Sequence, residues 1–109
     1  MSESLRDARR DVFVVRESPI HGRGLFAAQH INAHRLIGKY EGPRTRVDGP
    51  WVLWIEEGRR AWGIDGQNEL RFVNHSAQPN ATFRGVRLWS IREILPGEEI
   101  THHYGDDWE

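Results

Sequence analysis

Two polar stretches hold the side chains of this sequence best suited to chemistry. Arg71-Phe72-Val73-Asn74-His75-Ser76-Ala77-Gln78-Pro79-Asn80 sets three hydrogen-bonding side chains in a row, Asn74, His75 and Ser76, in a loop closed by a proline. Asn, Ser and Pro favour turns because their side chains or ring satisfy or fix the local backbone. A loop so dense in polar groups either holds a ligand or clamps backbone. The second stretch, Gly97-Glu98-Glu99-Ile100-Thr101-His102-His103-Tyr104-Gly105-Asp106, combines two adjacent carboxylates, two histidines and a phenol. Extended backbone from Glu99 to Tyr104 puts Ile100, His102 and Tyr104 on one face and Thr101 and His103 on the other. His102 and His103 are then poorly placed to share a metal. Glu98 and Glu99 diverge for the same reason, which argues against paired acid–base catalysis. They are ordinary solvated charges, or one of them pairs with Arg71 and ties the two stretches together.

The elements that must position these groups read as short strands. Val12-Phe13-Val14-Val15 is β-branched and aromatic, and Ser18-Pro19 ends it. His21-Gly22-Arg23-Gly24 follows, then the apolar Leu25 to Ala28. Its two glycines form a plain hairpin turn, or they let the backbone take positive φ and approach a partner closely. Ile31 to His34 reads as a loop. Leu36 to Glu41 reads as a strand stopped at Gly42-Pro43, and residues 44–50 as a polar connection. Trp51 to Ile55 and Ala61 to Asp65 form a hairpin through Glu57-Gly58-Arg59-Arg60. Gly66-Gln67-Asn68 breaks the pattern. Ala81 to Phe83 and Val86 to Ile91 form a second hairpin around Arg84-Gly85, and Leu95-Pro96-Gly97 turns into the last strand. No long helix and no internal repeat is evident, so the fold class is mostly β.

A chain of 109 residues fits a single domain. Residues 1–11 read as a polar N-terminal arm and residues 12–109 as the domain. The net charge of −1 makes no case for direct nucleic-acid binding. The absence of cysteine excludes disulfides and thiolate metal sites and fits a reducing compartment. No apolar run approaches a membrane span, and the N-terminus lacks the apolar core of a signal peptide, so the expected location is the cytoplasm.

Three motifs, in this order, resemble those of the SET domain family of protein-lysine methyltransferases. They are Ser18-Pro19-Ile20-His21-Gly22-Arg23-Gly24-Leu25-Phe26-Ala27; then Ile64-Asp65, Asn68 to Ser76 and Pro79-Asn80; then Ile94 to Thr101 and Tyr104-Gly105. The glycine motif alone is weak, whereas Asn-His-Ser followed at this separation by Gly-Glu-Glu and Tyr-Gly is specific. The resemblance spans about Phe13 to Asp106. It implies a β-clip-like fold of several small sheets with a knot-like C-terminal threading, an arrangement rare among folds. It implies S-adenosyl-L-methionine as cofactor, contacted by the backbone around Gly22, Arg23 and Gly24 and held by Asn74 and His75. Tyr104 would stand beside the transferred methyl as the catalytic tyrosine. Tyr40, His102 and Trp108 would line the channel for the substrate lysine of a protein partner.

The implied chemistry suits these residue types. Methyl transfer from a sulfonium to an amine is an in-line displacement that needs alignment more than proton transfer. The amine must be neutral, and removing its proton at neutral pH costs roughly 4 kcal/mol for a pKa near 10.4. An aromatic channel disfavours the ammonium and so lowers that cost.

The sequence also departs from the family pattern. Many members carry a zinc-binding cysteine just after Asn-His-Ser and three more after the tyrosine; here Ala77 stands first and the sequence ends at Glu109. The expectation is a minimal form without flanking pre-SET or zinc-bound post-SET segments. Asp106 to Glu109, or a second copy in a homodimer, would then cover the pocket. His102 stands where many members carry the Phe or Tyr that governs how many methyls are added. The alternative function is a non-catalytic interaction module on the same fold.

Overall fold

The computed structural model describes residues 12–103. Ten short strands and one 3-10 turn fall into three small sheets. The first sheet is built from β1 (Phe13–Glu17), β2 (Arg23–Ala27), β10 (Glu99–His102) and β7 (Asn74–His75), in that order. The second places β9 (Arg87–Ser90) between β3 (Leu36–Lys39) and β8 (Ala81–Arg84). The third places β6 (Arg60–Asp65) between β4 (Arg44–Thr45) and β5 (Val52–Glu57). The mostly-β expectation and the multi-sheet architecture both hold.

Local chemistry explains the two sharp hairpins. Glu57 pairs with Arg60 and Arg84 with Arg87, which leaves two-residue loops, Gly58-Arg59 and Gly85-Val86. Each loop opens with a glycine at positive φ, +58° and +60°. Glycine at the first central position of such a loop matches the right-handed twist of the flanking strands. The expected hairpins are therefore present, with their arms shifted by a residue or two.

Three local expectations need correction. The connection at 44–50 contains β4, because Arg44 and Thr45 find open partners in Ile64 and Gly63. The break before the central stretch contains a 3-10 turn, Glu69–Phe72, which drives Leu70 into the core at 1% exposure. Asn74 and His75 are not loop residues: they form a two-residue strand parallel to Thr101 and His102.

The core lies where the three sheets face one another. Leu25, Leu70, Leu88, Ile94 and Ile100 are its largest fully buried apolar members, one from each of five separate segments. Each such side chain contributes about 1.5–3 kcal/mol by leaving water. β10 is central in its sheet, with Ile100 opposite Leu25 of β2 and Thr101 opposite Asn74 of β7. Ile100, Thr101 and His102 are consequently all buried, so this strand does not show the alternation of a half-exposed one.

Candidate active site

The three sequence motifs converge on the amide of Asn74. Its Nδ2 donates to the carbonyls of His21 and Arg23, both at 3.1 Å, and to Glu99 Oε2 at 2.8 Å. Two amide protons serve three acceptors, so one proton is shared. Ser18 Oγ lies 2.8 Å from both oxygens of the same carboxylate. Glu99 is thus neither a free solvated charge nor the partner of Arg71; it is the fixed centre that joins all three motifs.

The two glycines near this centre do different work. Gly22 takes φ +46°, and nothing lies within 4 Å of where a Cβ would stand. The backbone there faces open space, which leaves room for a ligand to approach it. Gly24 sits inside β2, where a Cβ would fall 2.2 Å from Glu99 Oε2 and 2.9 Å from Ser18 Cβ. One glycine shapes the turn, and the other makes room for the carboxylate.

Asn80 is a second clamp, to which sequence reasoning assigned no role of its own. It is 2% exposed, donates from Nδ2 to the Glu99 carbonyl at 2.8 Å, and accepts from the Thr101 N–H at 2.9 Å. Ser76 N–H donates to the His102 carbonyl at 2.9 Å. The backbone of β10 is therefore held by β2, β7, Asn80 and Ser76 together. The signal for Asn80 was its place after Pro79, where a polar side chain follows a fixed turn.

A cavity of about 400 Å³ opens beside this junction, with Tyr40, Trp51, Trp54, Phe83, His102 and His103 among its walls. Tyr40 is buried, donates its hydroxyl to the Trp51 carbonyl at 2.6 Å, and meets the Phe83 ring edge-on at 5.7 Å. His102 meets the other side of Phe83 edge-on at 5.1 Å. Burial lowers the His102 pKa to about 4, with smaller contributions from His75 and His103, so its imidazole is neutral at neutral pH. The rings of His75 and His103 stack tilted at 4.7 Å.

The structure therefore brings Gly22, Arg23, Gly24, Asn74 and His75 together at one end of the site, and Tyr40 and His102 at the cavity. Tyr104 and Trp108 lie outside the described residues. Arg71 does not reach Glu98 or Glu99. It donates to the Gln67 and Asn68 carbonyls at 2.8 and 3.0 Å and lies over the Phe72 ring at 4.2 Å. Glu98 instead meets Arg92 at 3.5 Å. Arg71 instead ties down the backbone at the start of its own 3-10 turn, where the Asn68 carbonyl also accepts the Arg71 N–H.

Residues 22–105 match the family profile described as the SET domain. The chain belongs to the SET domain family. Among similar proteins, Histone-lysine N-methyltransferase trr of Drosophila melanogaster is 31% identical over 93% of this chain and 5% of that protein. Human Histone-lysine N-methyltransferase 2B is 28% identical over 92% of this chain and 4% of that protein. The chain thus corresponds to a small fraction of either relative. The methyltransferase domain of human SETMAR superimposes with a TM-score of 0.76 at 24% identity, over 88% of this chain and 45% of that one. That superposition places the three sheets of this SET domain in the family's fold.

Proposed function

We propose that this SET domain transfers a methyl group from S-adenosyl-L-methionine to the side-chain amine of a lysine in a protein substrate. The observation that carries the reading is the junction at Asn74 and Glu99, which ties all three family motifs together beside an aromatic cavity. The cofactor supplies a methyl group activated on a sulfonium.

The residues present suit such a ligand. The backbone at Gly22 is open to approach, and Asn74 fixes the carbonyls of His21 and Arg23 in the turn around it. The Asn74 amide protons are spent on protein acceptors, so its Nδ2 shapes the pocket rather than donating to a ligand. On the other side, Tyr40, Phe83 and His102 offer an uncharged aromatic wall, and the Arg71 guanidinium lines the same cavity. Desolvation by such a wall and a like charge nearby both disfavour an ammonium and favour the neutral amine that can attack. Tyr104 is the residue assigned to orient the amine and the methyl, with its phenol acting by hydrogen bonding.

Isotope-labelled S-adenosyl-L-methionine and a panel of basic proteins test the assignment. Core histones belong in the panel, because the relatives are named for histone lysines. Label in lysine, reduced at least 100-fold by Tyr104→Phe with the fold intact, is the expected result. Normal cofactor binding by calorimetry with no transfer to any protein would instead leave a binding module.

A further inference from the structure

The third sheet carries a second concave feature with different chemistry. A pocket of about 510 Å³ beside β4 and the β5–β6 hairpin is walled by Arg44, Arg46, Arg59, Arg60 and Trp62, with no carboxylate in its lining. All four arginines are exposed, and none has an ion-pair partner among the described residues. The Arg44 guanidinium lies over the Trp62 ring at 4.8 Å, which limits its freedom before anything binds. Four unpaired guanidinium groups converging on one hollow repel one another, and a bound anion relieves that repulsion.

We propose that this pocket is a docking site for the phosphodiester backbone of a nucleic acid. Guanidinium groups match phosphate oxygens in pairs of parallel hydrogen bonds. The alternative occupant is an acidic peptide, which would gain most by adding a strand to the sheet edge. The edge beside this pocket is unsuitable: β4 is only two residues long, and Pro43, which has no N–H, precedes it, while the other edge strand, β5, contributes nothing to the lining. Recognition here rests on side chains, and phosphates spaced along a backbone need nothing more. The chain as a whole carries a net charge of −1, so any attraction is local to this pocket rather than general. The site is independent of methyl transfer, and its test reads binding alone.

Fluorescence anisotropy of the full chain with a labelled mixed-sequence DNA duplex, taken across a salt series, tests the proposal. Four phosphate contacts predict a slope of log affinity against log salt of about −3.6, or roughly 100-fold weaker binding at 200 mM than at 50 mM. The double variant R59Q/R60Q, exposed at the hairpin tip, should reduce the magnitude of that slope by about two. R84Q/R87Q removes the same charge at the β8–β9 hairpin and should leave the slope unchanged. No binding at 50 mM salt overturns the proposal. So does equal weakening by R84Q/R87Q, or tighter binding of poly-glutamate than of the duplex at this site.

Discussion

Asn74 donates a 2.8 Å hydrogen bond to the Glu99 carboxylate and, with the same nitrogen, holds the carbonyls of His21 and Arg23. Removing that amide leaves the part-buried carboxylate with Ser18 alone and frees the turn beside the proposed cofactor pocket. Asn74→Ala should lower stability by about 1–3 kcal/mol. It should also weaken S-adenosyl-L-methionine binding at least 10-fold. Thermal unfolding and calorimetry measure the two effects separately, and unchanged values in both would refute the clamp.

Gly24→Ala should be more damaging than Gly22→Ala. At position 24 the new Cβ meets the Glu99 carboxylate, which Ser18 and Asn74 hold in place. Overpacking of this kind costs about 1–3 kcal/mol. At position 22 the space is open, so the cost is only the positive φ, about 1 kcal/mol. Denaturant midpoints of the two variants rank them.

His102 makes stability fall in acid. In the unfolded chain its imidazole takes a proton near pH 6.5, but in the folded chain only near pH 4. Between those values the unfolded state binds more protons, so stability drops as pH falls. Above pH 6.5 both states are neutral and nothing is lost. The full difference is up to about 3 kcal/mol. His102→Phe should flatten the wild-type decline between pH 6.5 and 4 by that amount, read from denaturation at stepped pH.

Asn80→Ala removes two backbone bonds of β10 in a buried setting. A loss of about 2–4 kcal/mol is expected, since the Thr101 N–H and the Glu99 carbonyl both lose their partner. Hydrogen exchange at the Thr101 amide should accelerate in step. Slow exchange at that amide in the variant would show that β10 does not depend on the clamp.

The strands that carry their own signal were legible in the sequence. β5, β6, β8 and β9 show apolar runs around a glycine, and glycine alone takes positive φ at little cost, so the hairpins follow from local chemistry. The motifs were legible as well, because their residue types and order survive without any knowledge of contacts. The identity of the cavity-facing residues Tyr40 and His102 came with them.

What the sequence could not decide was who meets whom. Periodicity assigns side chains to a strand's two faces but not to its neighbours, so it did not show that Ile100, Thr101 and His102 of β10 are all buried. Arg71 looked like the partner of a carboxylate, but its guanidinium donates to the Gln67 and Asn68 carbonyls just before its own turn. Glu99 looked like one of two solvated acids until Ser18, 81 positions away, and Asn74 closed on it. Residue types and their order determined the family and the longer strands, though not β4 or β7. Only the folding of distant segments onto one another decided which polar groups lose water, and with that which of them hold the site together.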